Sequence, residues 1–323
     1  MVKKALVMNK LLVIGLLLVV SITQAQKIKK FSDGRYRFVN KQGKAIKKSG
    51  AWSKMKTYYW FNDYTYLKNE KGDKLLSDIE GNAYRMENNI KALTSDTEAL
   101  IQYARDLTAQ LPEIVKVTKL KVLYMGRAQL TKLPKELGQL KNLRELGLSE
   151  NKLKTLPKEF GHLKNLKGLG LNLNQLEVLP KEFGGLRSLQ GLDLQHNQLR
   201  ALPKEFGLLK SLKIVYFGGN QLQALPKEFG QLKTLKILGL SDNKFQRFPQ
   251  AVVHLKNLKE LYVDRNQLQA IPKEFGQLKR LKKLDLQRNQ LRSLPKEFAQ
   301  LQNLEVLFLD VNQIGRASCR ERV

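Results

Sequence analysis

Leucines and polar residues alternate along most of the chain in one pattern, which returns every 23 residues. One unit runs from Pro134 to Leu156 and reads PKELGQLKNLRELGLSENKLKTL. Further proline-led units begin at Pro157, Pro180, Pro203, Pro226, Pro249, Pro272 and Pro295. A period between about 20 and 50 residues is typical of solenoids, in which each unit packs only on its neighbours. The pattern therefore predicts a repeat array.

The strand and the turn of each unit can be read from its residues. The alternation at Leu146 and Leu148 predicts a short strand with the leucines inward and their neighbours outward. An asparagine follows where the chain must turn, and its amide carries both a donor and an acceptor for buried backbone groups of adjacent coils. We expect this asparagine ladder to be structural; its members are Asn151, Asn174, Asn197, Asn220, Asn243, Asn266, Asn289 and Asn312.

The return segment of each unit begins with proline. Pro157 fixes φ, and Glu159 suits the first turn of a short helix. Phenylalanines at the same position of six units are expected to stack as a core column on the convex side, rather than to line a cofactor site: Phe160, Phe183, Phe206, Phe229, Phe275 and Phe298.

The order L-x-x-L-x-L-x-x-N-x-L, as at Leu143, Leu146, Leu148, Asn151 and Leu153, closely resembles the leucine-rich repeat family. With its L-P-x-x-Φ-G-x-L continuation (Φ apolar), the unit is similar to the repeats of exported bacterial, notably spirochaete, members. The resemblance implies an α/β solenoid, a horseshoe with a parallel concave sheet of about nine strands over residues 112–313. It also implies that the outward positions of this sheet bind partners.

The N-terminus has the pattern of a targeting segment. Lys3, Lys4 and Lys10 precede an apolar run at 11–22, and the small-residue site that ends at Ala25 follows. These features predict a signal peptide over 1–25, cleaved after Ala25, with an uncleaved anchor as the alternative. The run is short for a bilayer span. We therefore expect an exported protein, secreted, periplasmic or on the outer surface, with no transmembrane span after cleavage.

Two segments precede the repeats. Turn residues between β-prone flanks, at 40–43 and around Gly72, predict a small β-rich region over 26–92. A capping box at Ser95 and Glu98 then predicts an amphipathic helix over 93–111, which would cover the apolar edge of the first repeat. Its apolar face would consist of Leu100, Ala104, Leu107 and Leu111.

The net charge of +29 invites a nucleic-acid interpretation, but the charges are unevenly placed. The outward strand positions hold four basic side chains: Arg127, Arg265, Lys283 and Arg288. They hold eight acidic ones: Glu145, Glu150, Asp193, Asp242, Glu260, Asp264, Asp285 and Asp310. Phosphate and sulfate recognition requires Lys and Arg, so we expect no specific nucleic acid in the concavity. A protein ligand is expected instead.

Aromatic residues beside small ones suit the anchor positions of a protein interface. The predicted partner contacts are Tyr124, Glu145, Asp193, Tyr216, Asp242, Glu260, Tyr262, Asp264, Arg265, Asp285, Arg288 and Phe308. The alternative is that the tyrosines only cover a glycine-lined sheet.

The sequence leaves two alternatives to protein binding and does not favour an enzyme. The lysines on the convex side either bind anionic polysaccharide or envelope phosphates weakly, or only keep the protein soluble. If the N-terminal segment does not target, an intracellular signalling scaffold is the alternative. An enzyme is not expected, since His162, His196 and His254 lie in different units and no nucleophile, metal-spaced cluster or phosphate loop is apparent. We expect no cofactor and no metal.

Residues 314–323 break the repeat pattern. They resemble the translation of a common sequencing-library adapter, which predicts a non-native tail and makes Cys319, the single cysteine, spurious.

Overall fold

The computed structural model describes residues 93–102 and 107–314 in full. It also describes the backbone of five strands: β1 (Lys27–Lys30), β2 (Tyr36–Val39), β3 (Thr65–Lys68), β4 (Lys74–Ser77) and β5 (Ala83–Glu87). The predicted signal peptide and residues 315–323 of the predicted tail lie outside these described residues.

Ten short parallel strands form the concave side of the repeat array. They are β6 (Ala99–Ile101), β7 (Val122–Tyr124), β8 (Glu145–Gly147), β9 (Gly168–Gly170), β10 (Gly191–Asp193), β11 (Ile214–Tyr216), β12 (Ile237–Gly239), β13 (Glu260–Tyr262), β14 (Lys283–Asp285) and β15 (Val306–Phe308). The middle residue of each strand from β6 to β14 is a buried leucine or valine. This arrangement confirms the predicted leucine-rich solenoid.

The strands before the repeats continue the same sheet. β5 pairs parallel with β6, and β4 and β3 follow in antiparallel pairing. The β3–β4 pair agrees with the hairpin expected around Gly72. β2 pairs with β1, whereas the other half of the hairpin expected at 40–43 lies outside the described residues.

The amphipathic helix predicted over 93–111 is wrong where the structure describes it. Ala99–Ile101 is strand β6, followed by a 3-10 turn at Thr108–Gln110 and the short helix α1 (Leu111–Ile114). The physical reason is the exposed edge of β7, whose backbone groups need partners that a helix cannot supply. The β6 segment supplies them, and just beyond it the Gln102 N–H donates to the Tyr124 carbonyl at 2.8 Å.

The return segments on the convex side are 3-10 helices, each preceded by an extended proline. They span Lys135–Gln139, Lys158–His162, Lys181–Gly185, Lys204–Leu208, Lys227–Gln231, Gln250–His254, Lys273–Gln277 and Lys296–Gln300. Seven of the eight prolines have ψ of 147–152°, whereas Pro249 has ψ 106°.

The phenylalanines form a stacked column beneath these helices. Phe160, Phe183, Phe206 and Phe229 follow one another with ring centroids 5.7–6.3 Å apart and planes within 12°. Val252 occupies the next position and interrupts the stack. Beyond it, Phe275 and Phe298 stack again at 5.9 Å, and Phe248 packs edge-on against Phe275 at 5.3 Å.

The glycine after a phenylalanine of the column touches the next unit. A Cβ added at Gly161 would lie 2.1 Å from the Glu182 carbonyl oxygen, and one at Gly207 would lie 2.4 Å from that of Glu228. Glycine therefore lets two backbones pack directly on each other. Val253 stands at this position in the Pro249 unit, and there the convex segments 250–254 and 273–277 approach each other less closely than other neighbouring pairs.

The asparagine ladder joins consecutive units. The Asn197 side-chain amide donates to the carbonyls of Leu194 in its own unit and Leu171 in the preceding one, both at 3.0 Å. Its Oδ1 accepts the N–H of Leu176, also at 3.0 Å. The same three bonds recur along the ladder, so each amide satisfies backbone groups that would otherwise be buried without partners.

A second polar ladder on the outer edge was not predicted. Side chains of Asn142, Asn165, Asn257 and Asn303 each donate to the backbone carbonyl 24 residues earlier, at 2.7–2.9 Å. Thr234 bonds the equivalent carbonyl at 2.6 Å. The sequence signal was present as the repeated L-K-N-L, but its polar residue has no obvious partner until the units are stacked.

Replacing a phenylalanine in the middle of the column should be costly. We expect Phe206→Ala to lower the free energy of unfolding by about 3–5 kcal/mol, because the ring is fully buried and its site cannot collapse easily. Phe298→Ala is the matched control, since Phe298 is only partly buried and should cost less. Chemical denaturation measures both, and a smaller loss for Phe206→Ala than for Phe298→Ala would contradict this packing.

Candidate functional site

The concave face does not expose all the predicted contact residues. Three of them are buried: Glu145 is 4% exposed, Asp193 2% and Tyr216 8%. These three therefore belong to the scaffold. Tyr124, Glu260, Tyr262, Asp264 and Asp285 are partly exposed, and Asp242, Arg265, Arg288 and Phe308 are exposed.

Two of the tyrosines lie against glycines of the following strand. A Cβ at Gly239 would lie 2.5 Å from Cδ1 of Tyr216, and one at Gly147 would lie 2.1 Å from Cδ1 of Tyr124. Each ring thus covers a strand that has no side chain at that point. For Tyr216, burial raises the pKa of the phenol well above its usual value. Tyr216 and Tyr124 therefore agree with the alternative stated above, in which the tyrosines cover a glycine-lined sheet.

Asp193 lies on β10 within the concave face. Its Oδ1 accepts the backbone N–H of Gln195 at 3.0 Å. Burial raises the pKa of the carboxyl because the ionised form loses its hydration, while the bond from Gln195 and the nearby His196 act in the opposite direction. A buried carboxylate of this kind positions the turn after the strand.

The last three strands carry what we name the acidic aromatic patch: Glu260, Tyr262, Lys283, Asp285 and Phe308. The strand register sets Tyr262 beside Asp285 and Asp285 beside Phe308, with Glu260 beside Lys283. The Tyr262 hydroxyl donates to Oε2 of Glu260 at 2.6 Å. Nζ of Lys283 lies 5.0 Å from the centroid of the Tyr262 ring and 5.8 Å from that of Phe308.

Carboxylates influence one another across this patch. Burial raises the pKa of Asp285, and the charges of Asp264 and Asp310 raise it further, whereas Lys283 lowers it. Burial and the bond to Glu260 likewise raise the pKa of the Tyr262 phenol. The patch is therefore an acidic surface that already contains one cation.

The rim of the face is made by residues in the left-handed backbone region. In each of the nine units the residue just before the ladder position has φ between 51° and 68°, including Asp242, Arg265 and Arg288. Only Gly219 is a glycine there, so this conformation could not be predicted from the residue types. In the first unit Ala128 replaces the asparagine, and Gln129 also has a positive φ of 53°.

The basic surface is more sharply located than the sequence suggested. We name as the basic edge the segments 139–144, 162–167, 185–190, 208–213, 231–236, 254–259 and 277–282, which lead from each convex helix to the next strand. They contain no acidic residue and fourteen exposed basic ones. In most units the residue just before the strand is basic. Within the described residues, the first and last members of this row form ion pairs, Lys121 with Glu98 and Lys282 with Glu305.

Metal-binding clusters and membrane-spanning helices are both absent from the part of the chain that the structure describes. No group of three or more His, Cys, Asp or Glu side chains is placed to bind a metal ion there. No helix among these residues has the length and apolar character needed to cross a membrane.

Comparisons with known proteins agree with this geometry. A family model described as leucine-rich repeat region matches residues 216–321, and one described as leucine rich repeat matches 118–176 and 142–199. The chain is 40% identical to a leucine-rich repeat protein of Leptospira interrogans, covering 68% of each chain, with a TM-score of 0.44. The protein belongs to the leucine-rich repeat family. The resemblance inferred from the repeat is thereby confirmed.

Two further structures are similar to this leucine-rich repeat protein. An internalin of Listeria monocytogenes is 20% identical, with a TM-score of 0.58 and coverage of 66% of this chain and 61% of that one, which shows the fold alone. The plant peptide hormone receptor RGFR1 in complex with RGF2 is 27% identical, with a TM-score of 0.56. The match covers 79% of this chain but 45% of the receptor. A search of curated proteins gave no match.

The raised pKa of Asp193 predicts the direction of one pH effect. The folded state binds the proton more tightly than the unfolded state, so stability rises as the pH falls through the folded pKa and is fully gained below the unfolded one. Asp193→Asn removes the charge and can keep the bond from Gln195. We expect it to raise the melting temperature at pH 7 by a few degrees at most, since about 1 kcal/mol moves the transition by roughly 2–4 °C in a domain of this size.

Thermal unfolding followed by circular dichroism at pH 7 and at acidic pH tests this expectation. The advantage of the Asn variant should shrink as the pH approaches the ordinary value for aspartate. Asp242→Asn is the control, because Asp242 is exposed. A lower melting temperature for Asp193→Asn at pH 7 would contradict the prediction.

Proposed function

We propose that this protein is an exported leucine-rich repeat protein that binds a protein partner through its concave sheet, at the acidic aromatic patch. One observation carries the proposal. At the last residue of each strand, β8 to β12 carry glycines or buried side chains, whereas Tyr262, Asp285 and Phe308 at the same position of β13 to β15 are accessible together on adjacent strands. The plant receptor RGFR1, whose structure is a complex with RGF2, supports a ligand-binding role for such a scaffold.

The chemistry of the patch suits a protein surface. Aromatic anchors surrounded by polar groups are enriched at the energetic centre of interfaces. The carboxylates of Glu260, Asp264 and Asp285 disfavour a polyanion at this position, since phosphates and sulfates need basic partners. The proposed ligand is therefore a protein rather than a nucleic acid or a sulfated glycan.

Export is the part of the proposal that depends on the N-terminal sequence. The signal-like segment at 1–25 supports targeting. An intracellular scaffold is the alternative. Cell fractionation separates the two, because detection in the cytosol alone would favour the scaffold.

Substitutions in the patch should weaken partner capture. We expect Tyr262→Ala/Asp285→Ala to reduce capture of a specific protein from envelope or host extracts at least about tenfold, because hot-spot truncations cost about 2 kcal/mol or more each. Binding by wild type should largely persist between 50 and 200 mM salt. Quantitative pull-downs measure both effects.

The matched control is Lys158→Ala/Lys181→Ala, two exposed residues of the convex helices. It should leave capture unchanged. Equal capture by the patch variant and by wild type, with both folded, would exclude this site.

A second candidate function rests on the basic edge. Its row of basic residues is continued from unit to unit by backbone bonds, such as Lys236 N–H to the Lys213 carbonyl and Lys259 N–H to that of Lys236. The side chains are thus spaced by one strand, about 4.8 Å, with no acidic residue between them. Such a row suits weak binding of a linear polyanion, and we infer that the edge rather than the convex helices would contact an anionic polysaccharide or envelope polymer.

Charge reversal tests the basic edge directly. Lys236→Glu/Lys259→Glu should elute from a heparin column at clearly lower salt than wild type. Polyanion affinity depends on the number of basic contacts and falls steeply with salt, so a variant with fewer contacts is released earlier. Lys227→Glu/Lys273→Glu changes the net charge equally, but on the convex helices. If both variants elute together, the edge is only a solubilising surface.

A further inference from the structure

The acidic aromatic patch contains a slot with two aromatic walls. Tyr262 on β13 and Phe308 on β15 occupy the same register position, with Asp285 of β14 between them. Two strand spacings separate the walls by about 10 Å. That width admits one side chain between two ring faces, with the carboxylate of Asp285 at the base.

The slot already contains an ammonium group. Nζ of Lys283 lies 5.0 Å from the Tyr262 centroid and 5.8 Å from the Phe308 centroid, so the cation is placed between the two rings. None of the ion pairs within the described residues includes Lys283. The ring faces, rather than a carboxylate contact, therefore keep the ammonium in place, as in other cation–π sites.

The occupant belongs to the protein itself and is weakly attached. A cation over aromatic rings at a solvent-exposed site is stabilised only modestly. The backbone of Lys283 lies two residues before Asp285 on β14, beside Glu260 of β13. Its long flexible side chain can leave the slot without any change in the backbone. A second cation can therefore take its place, provided that it brings additional contacts.

We propose that the slot between Tyr262 and Phe308 receives a lysine or arginine side chain of the protein partner, which displaces the Lys283 ammonium. This inference rests on the proposed function of the concave face and adds the chemistry of the ligand. The surrounding carboxylates of Glu260, Asp285 and Asp310 favour a positively charged segment. Lys283 acts as an internal competitor, so that only a cation with further contacts enters.

The slot can be tested without the partner, by a small cation. The probe is tetramethylammonium, and neopentyl alcohol of similar shape is its neutral control. Binding is followed by fluorine NMR on protein that contains 3-fluorotyrosine, with the Tyr262 signal assigned by Tyr262→Phe. We expect Lys283→Ala to bind tetramethylammonium at least about fivefold more tightly than wild type, because the internal competitor is gone.

Two variants show that the aromatic walls are responsible. Lys283→Ala/Phe308→Leu should lose the gain, because leucine fills similar space without a ring face, and this variant keeps the Tyr262 signal by which binding is followed. Lys283→Arg should bind the probe as weakly as wild type, since a cation still occupies the slot. Equal affinity of wild type and Lys283→Ala for the probe, or equal binding of the neutral alcohol, would overturn the proposal; melting curves verify that each variant is folded.

Partner capture separates failure of the slot from failure of the proposed function. Lys283→Ala should increase capture of the partner, and Tyr262→Leu should decrease it. If capture depends on Tyr262 but neither probe binding nor capture responds to Lys283, the slot is wrong and the concave interface stands. If the probe behaves as expected but capture ignores Tyr262, the proposed interface is wrong, and with it the assignment of the slot to a protein partner.

Discussion

Everything in this molecule depends on satisfying the backbone where each strand turns back into the solenoid. A chain that reverses inside a leucine core buries N–H and carbonyl groups far from water, and each costs free energy if it has no partner. The asparagine ladder removes that cost by bonding two carbonyls and one N–H with a single amide, as Asn197 does with Leu194, Leu171 and Leu176. Because two of these groups lie in the preceding unit, the bond also fixes how units stack.

This constraint separates scaffold from function. The leucines, asparagines, phenylalanines and convex glycines each contact a residue of the adjacent unit, so the residue type at these positions can vary little. The outward strand positions make no such contact by necessity. At the last residue of each strand they are glycine or buried from β8 to β12, and they become accessible acids and aromatics from β13 to β15. The proposed interface therefore lies at positions that the packing between units leaves free to vary.

The 23-residue period and the residue types within each unit were enough to predict the strands of the repeats, the asparagine ladder and the phenylalanine column. They could not predict burial on the concave face, because Tyr216 is covered or exposed according to the residue at 239, on the next strand. The helix prediction at 99–101 failed for a related reason. Leu100 fits a helical pattern and a strand pattern equally, and only the open edge of β7 decides for the strand. The slot around Lys283 was likewise invisible, since it needs three strands in register.

The glycine that follows the phenylalanine in most units has a consequence for the shape of the binding face. The strands keep one spacing along the concave side, while the convex path is as long as the packing of these glycines allows. Val253 replaces this glycine in the Pro249 unit, where the proline has ψ 106° and the convex segments 250–254 and 273–277 approach each other less closely than other neighbouring pairs. A looser convex approach at an unchanged β13–β14 pairing turns β14 relative to β13. A rigid partner that spans the sheet would meet the acidic aromatic patch at a different angle from the glycine-rich strands before it.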